Sequence, residues 1–329
     1  MQRRALIVGI DEYRDGALSG AVADARAISQ MLAQNADSSS NYECKLLLGK
    51  VGEPPKVTRS VLRNALKELF TTFRGDTLFY FSGHGVDDGP GFLITQDYEV
   101  GDWGVSMDEL LQMANECEAN DSILILDCCF SGKLGNSPMF RTSKGRALSV
   151  TRENLTILAA SLQEQTAAEA GGHGLFTASI LNALDGGAAD PMGNVSAASI
   201  YAYVDRRFGA WEQRPVYKAH TTTVSIVRQC QPLIDKADVR KLTSFFPNIA
   251  SQFQLDPEYE PEDEQGQMHE PINNQKIEVA RLFKQYRDAG LIRPVEKGEQ
   301  LYWTARHNHS IELTPRGKEY WQLVYERRI

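Results

Sequence analysis

Ser122–Gly132 reads SILILDCCFSG, an apolar run from Ser122 to Leu126 that breaks into Asp127-Cys128-Cys129-Phe130-Ser131-Gly132. A short branched run bounded by turn-forming residues predicts a buried strand. Reacting groups in open α/β sheets gather at the carboxyl ends of strands, so a thiol there is a candidate nucleophile. A second apolar run, Asp76–Phe81 (DTLFYF), ends in Ser82-Gly83-His84-Gly85, with His84 placed 45 residues before Cys129. The two runs together predict an imidazole and a thiol at the ends of neighbouring strands.

Working outward, Arg4–Ile10 (RALIVGI) predicts a first buried strand. Ala21–Ala33 predicts a helix, with Ala21, Ala25, Ile28 and Leu32 at helical spacing and Asp24 in its first turn. Glu43–Leu48 predicts a strand, Thr58–Thr71 a helix, Phe92–Gln96 a hairpin arm and Met107–Glu118 a helix. Leu155–Ser161 predicts a further strand, Gly174–Leu184 and Ser196–Ala210 helices, and Thr221–Val227 (TTTVSIV) the strand that closes the sheet. This alternation predicts an α/β fold, a mainly parallel sheet with helices on both faces. Residues 132–154 carry Ser, Gly, Lys and Arg with little periodicity, which predicts a surface loop beside the site.

The pattern changes after residue 230, so the chain divides into 1–230, a connecting segment 231–272 and a tail 273–329. Within the connector, Asp235–Phe253 reads as helical and Leu255–Pro271 as an acidic, Pro-bearing linker. In the tail, Ile277–Gly290 predicts a helix, Leu301–Thr304 and Ser310–Leu313 a strand pair, and Thr314-Pro315 the start of a closing helix. From Lys276 to Ile329 there are seven acidic and eleven basic side chains.

Hydrophobic residues make up 42% and charged residues 24% of the 329 residues, ordinary for a globular protein with one large domain and a smaller one. No apolar run reaches membrane-spanning length, and only six apolar or Gly residues separate Arg4 from Asp11, so neither a membrane segment nor a signal peptide is expected. Five cysteines, two of them adjacent, do not make a disulfide framework, and a cytoplasmic location is expected. A net charge of −8 argues against nucleic-acid binding by the surface as a whole, though not by a local patch.

A cysteine attacks as the thiolate, and an imidazole beside it can take the thiol proton and return it to a leaving amine. His84 suits that role, and the peptide N–H groups of Gly85 and of the nucleophile would form an oxyanion hole. No Asn or Asp stands where it would orient the imidazole, so a dyad is expected. Chemistry alone leaves Cys128 and Cys129 both open as the nucleophile. Metal binding by Cys128, Cys129 and His84 is a competing reading, but adjacent cysteines lack the two-residue gap usual in zinc sites.

YFSGHG followed by ILDCCFSG resembles the His and Cys motifs of the caspase-like clan, peptidase C14, closest to metacaspases and bacterial caspase-like effectors. ALIVGIDEY, LSGAVADA, ILAAS, QEQTAAE and GLFT fit the same family, and the likeness covers residues 1–230. It implies a six-stranded, mainly parallel caspase-like sheet and a cysteine endopeptidase with a His84–Cys129 dyad. Phe130 stands where metacaspases usually carry His. The likeness implies an acidic S1 pocket at Asp24, Ser82 and Asp127, hence cleavage after Arg or Lys. By the residues alone, Asp24 reads first as charge complementing a helix dipole, and Asp127 could simply cap the strand end.

Arg141, Lys144, Arg146 and Arg152 are candidate self-cleavage sites, or else solvated loop charge. No cofactor is expected to be required; calcium, common in metacaspases, has only Asp97, Asp108 and Glu109 as candidate ligands. The tail is similar to a winged helix, which implies an adaptor for an activating protein partner, with DNA as the other candidate. The likeness to bacterial effectors implies regulated proteolysis in antiviral defence or cell death. The alternative is a non-catalytic scaffold or DNA-binding regulator that works through the tail.

Overall fold

The branched and aromatic runs become strands, and their alternation becomes two buried faces. The structure is a computed structural model and describes residues 2–50, 52, 56–71, 73–128, 152–160, 174–208, 214–262, 265–268 and 272–329. It divides into two units, residues 1–189 with 194–230 and residues 190–193 with 231–329.

The first unit opens with β1 (Arg3–Ile10), α1 (Ala21–Ala33), β2 (Glu43–Gly49), α2 (Arg59–Phe70) and β3 (Asp76–Ser82). A small antiparallel sheet follows, β4 (Gly85–Val86), β5 (Phe92–Glu99) and β6 (Asp102–Ser106), leading into α3 (Met107–Glu116) and β7 (Asp121–Asp127). Then come β8 (Leu155–Ala159), α4 (Leu175–Asn182), β9 (Asn194–Ser196), α5 (Ala197–Asp205), β10 (Val216–His220) and β11 (Ile226–Gln229).

Six strands form the central sheet in the order β10-β8-β7-β3-β1-β2, parallel throughout except for the antiparallel edge pair β10–β8. Alternate residues serve opposite faces, as the pleat requires. Phe79, Phe81, Leu124, Leu126 and Cys128 pack with Leu62, Leu66 and Phe70 of α2 and Leu110 and Leu111 of α3. Leu78, Tyr80, Ile123 and Ile125 pack with Ile28 and Leu32 of α1, Phe176 and Ile180 of α4, and Ile200 and Val204 of α5. Gly9 sets how closely α1 lies on β1, because a Cβ there would come within 2.2 Å of the Ala21 carbonyl oxygen.

The closing strand is Val216–His220 rather than the expected Thr221–Val227. Val216 and Tyr217 lean on opposite cores, whereas residues 221–224 are exposed, so the alternation there had no face to bury. Ile226–Gln229 pairs instead with Asn194–Ser196 in a separate two-stranded sheet.

The second unit contains α6 (Lys236–Val239), α7 (Leu242–Phe245), β12 (Gln252–Gln254), α8 (Asn274–Asp288), β13 (Ile292–Pro294), α9 (Leu301–Arg306), β14 (Ser310–Leu313) and α10 (Pro315–Tyr325). Its antiparallel sheet runs β12-β14-β13. Phe246, Phe283, Tyr286, Leu313 and Trp321 are central to its core, where the Trp321 indole N–H donates to the Phe246 carbonyl at 2.6 Å.

Two expectations for this region change. Residues 231–262 are part of the folded unit rather than a connector: Ile234, Val239, Leu242 and Leu255 are buried in its core. The acidic run Asp256, Glu258 and Glu260 meets Lys276 and Lys284 of α8 in ion pairs, so charge that reads as a solvated linker is complemented by a helix far along the chain. Leu301–Arg306 is a helix, not a strand. Its buried Leu301, Thr304 and Ala305 fall at helical spacing, and the partners of Ser310–Leu313 are β12 and β13.

Candidate active site

The carboxyl ends of β3 and β7 lie side by side. Their parallel register pairs Ser82 with Asp127, and the Gly83 N–H donates to the Asp127 carbonyl at 3.3 Å. His84 therefore leaves the sheet directly beside the strand end that Cys128 follows. Cys129 itself lies outside the described residues, as do Arg141, Lys144 and Arg146. Cys128 is 4% exposed and packs among the core side chains of the α2–α3 face, in keeping with its place in the strand's alternation.

His84 is held by four contacts. Its backbone N–H donates to the Tyr13 hydroxyl at 2.9 Å, its carbonyl accepts from the Ile94 N–H at 3.0 Å, and its ring packs on the Tyr13 ring at 4.6 Å. The fourth contact joins Nε2 to the Gly16 carbonyl oxygen. A carbonyl can only accept, so Nε2 carries a proton, and in the neutral ring the lone pair then lies on Nδ1. Gly83 leaves room for this arrangement, since a Cβ there would meet the Tyr13 hydroxyl at 2.5 Å. The orienting group that the sequence seemed to lack is thus a backbone carbonyl. A search for Asn or Asp cannot find one.

The three candidate S1 residues converge. Asp24, in the first turn of α1, is 3% exposed and accepts from the Ser82 hydroxyl at 3.4 Å. A Cβ on Gly174 would sit 3.5 Å from the Asp127 Oδ2 and 3.7 Å from the Asp24 Oδ2, so both carboxylates face the amino end of α4. Thr177 of α4 donates to the Asp127 Oδ2 at 2.7 Å, and with that hydroxyl proton committed, Tyr80 donates to the Thr177 Oγ1 at 2.6 Å. Burial, added to by the like charge of Asp24, lifts the Asp127 carboxyl to about 6 against the pull of the Thr177 bonds. Thr177 sits inside the GLFT stretch, but nothing in the sequence pairs it with Asp127 or Tyr80.

Other candidates are placed elsewhere. The Arg152 guanidinium donates to the carbonyls of Ala114 (2.9 Å), Ala119 (2.9 Å) and Glu153 (3.0 Å) and to the Ser122 hydroxyl (2.6 Å). It ties α3 to β7 and is scaffold, not a presented loop residue. Gly85 opens β4 immediately after His84. The calcium candidates are not gathered: no donor set drawn from Asp97, Asp108 and Glu109 lies within 4.8 Å among the described residues. Asp97 accepts from the Arg59 N–H and the Thr95 hydroxyl, while Glu109 pairs with Arg63.

A His at one strand end, beside a Cys-bearing strand end, in a parallel six-stranded sheet with one antiparallel edge and helices on both faces, defines a caspase-like α/β fold. The caspase-domain family model of peptidase C14 matches residues 2–227, and the chain belongs to that family. It is a cysteine peptidase by membership, and its substrates are proteins. Among solved structures the chain is similar to pro-Sf-caspase-1, at 11% identity and a TM-score of 0.46, with 70% of this chain and 92% of that chain covered. No curated protein matches. Among the described residues, no helix is long and apolar enough to cross a membrane.

Proposed function

We propose that the protein is an endopeptidase that cleaves after Arg or Lys, with Cys129 as nucleophile and His84 as base. The observation that carries this reading is the paired carboxylates of Asp24 and Asp127, buried at the same sheet edge from which His84 emerges. Residues 84 and 129 keep the offset of 45 that separates Ser82 from its register partner Asp127. His84 Nδ1 takes the thiol proton and the thiolate attacks the scissile carbonyl. The N–H groups of Gly85 and Cys129 receive the oxyanion, and the imidazolium returns its proton to the leaving amine. Water then hydrolyses the thioester. Every group in this sequence belongs to the chain, and calcium has no assigned step.

A guanidinium or ammonium at P1 meets two carboxylates and the Ser82 hydroxyl, whereas an acidic P1 side chain would add a third negative charge to the pocket. Self-cleavage is assigned to Arg141, Lys144 or Arg146, and Arg152 is dropped because its guanidinium is committed to the scaffold. The second unit, with the winged-helix-like order read from its sequence, serves as the dock for an activating protein partner rather than for DNA, in a cytoplasmic effector of defence or cell death. Fluorogenic peptides with Arg, Lys or Asp at P1 test the reading. Turnover follows Arg and Lys, is abolished by Cys129→Ala, and falls by ~10²–10⁴-fold in His84→Ala. Equal turnover of the Asp peptide overturns the specificity; activity that survives Cys129→Ala overturns the nucleophile.

A further inference from the structure

The second unit holds three donor side chains that the peptidase chemistry does not use. Glu299 precedes α9, His307 follows its last residue, and His309 comes just before β14. One donor atom from each lies within 4.8 Å of the other two. His307 Nδ1 is 2.9 Å from Glu299 Oε1, and His309 Nδ1 is 3.1 Å from both Glu299 oxygens. The Glu299 side chain is 13% exposed, while those of His307 and His309 are 52% and 41% exposed. The carboxylate forms the floor, and the imidazoles face an opening to solvent.

We propose that Glu299, His307 and His309 bind a divalent transition-metal ion of the zinc class, which clips the two ends of α9 together. The donor set selects this class: imidazole nitrogen suits zinc and its first-row neighbours, whereas calcium and magnesium take oxygen ligands. The spacing is close to what such an ion needs. In a tetrahedral centre with bonds of 2.0–2.1 Å, neighbouring donor atoms stand about 3.3 Å apart. The two Glu–His edges, at 2.9 and 3.1 Å, are already within a few tenths of that value. The His–His edge lies within 4.8 Å, and the exposed His307 ring is the donor with room to adjust.

The backbone holds the donors in place. The His307 N–H donates to the Trp303 carbonyl at 2.9 Å and the His309 N–H to the Thr304 carbonyl at 2.8 Å, while the His309 carbonyl accepts from the Leu255 N–H just past β12. Asn308 between them takes the left-handed conformation, φ 57°, which Asn tolerates better than most residues. Without an ion each imidazole donates a hydrogen bond from Nδ1–H to the Glu299 carboxylate. Coordination through Nδ1 requires that proton to leave and Nε2 to take one up through water, so a neutral ring binds with no net proton release. Three protein ligands leave a fourth position for water or a partner's side chain.

The rival assignment is a hydrogen-bonded triad that takes no ion, and metal uptake separates the two. The full chain, stripped with a chelator, is titrated with zinc chloride by calorimetry and with cobalt(II) by visible absorption. His307→Ala removes an exposed ligand, and Glu299→Gln keeps an acceptor for both imidazoles while removing the charge. The wild type is expected to take up one more equivalent of zinc than either variant, or to hold it more than ~10–100-fold more tightly, the loss already typical of removing a ligand's outer partner. Cobalt absorption from nitrogen and oxygen ligands is expected in the wild type and not in the variants. Equal uptake with equal affinity in all three proteins, their circular dichroism unchanged, overturns the proposal. The measurement does not involve peptide turnover, so it stands or falls apart from the peptidase reading.

Discussion

Replacing Asp127 by Asn should make the protein more stable at neutral pH and nearly inactive. The Asp127 carboxyl is held at about 6 in the folded chain against an ordinary value of 3.8, first by burial and then by the charge of Asp24. The folded state therefore holds this proton more tightly than the unfolded state does. Stability is full below the unfolded value, and it declines as pH rises from about 4 through about 6. A shift of about two pH units at 1.36 kcal/mol each puts the decline on the order of 3 kcal/mol. Asn keeps an acceptor for Thr177 but carries no charge, so Asp127→Asn should recover most of that at pH 7.5 and nothing at pH 4.

For a unit of this size, about 2–4 °C per kcal/mol gives a rise in Tm of roughly 6–12 °C as a ceiling. The same variant loses one of the two carboxylates offered to P1. Removing one partner of a buried, hydrogen-bonded charge pair costs about 2–5 kcal/mol, which lowers kcat/KM for an Arg peptide at least about 30-fold. Thermal unfolding of wild type and variant across pH 4–8, alongside peptide kinetics at pH 7.5, reads both effects. A variant no more stable than wild type at pH 7.5, or one that cleaves Arg peptides normally, would refute the reasoning.

Tyr13→Phe deletes the acceptor for the His84 backbone N–H. The unfolding free energy should fall by about 1–3 kcal/mol, and kcat should fall by more than KM changes, as steady-state kinetics and denaturant titration will report. Gly9→Ala places a methyl group within 2.2 Å of the Ala21 carbonyl and 2.7 Å of the Ala25 Cβ. Denaturant unfolding should show a loss of about 1–3 kcal/mol or more, because α1 must lift from β1. Arg152→Ala leaves the Ala114 and Ala119 carbonyls and the Ser122 hydroxyl without their guanidinium donor, so Tm falls. On a gel the self-cleavage pattern should keep every band; a missing band would put Arg152 back among the processing sites.

The sequence by itself determined the α/β class and most strands of the central sheet, because each buried strand is a contiguous branched run whose character needs no distant partner to declare it. It also placed His84 at the end of a strand run, while the Asp24, Ser82 and Asp127 set came from the family resemblance. The tertiary structure alone decided what depends on contacts between distant segments. Gly16 orients His84 through a backbone carbonyl, which has no signature in residue type. Thr177 reaches Asp127 from α4, and Tyr80 of β3 bonds to Thr177. The acidic run at 256–260 is complemented by lysines of α8, and Val216–His220 displaces Thr221–Val227 at the sheet edge because it alone has two cores to cover. Local pattern encodes which face a segment can bury; which partner covers that face is settled by packing, where competing segments are compared in three dimensions.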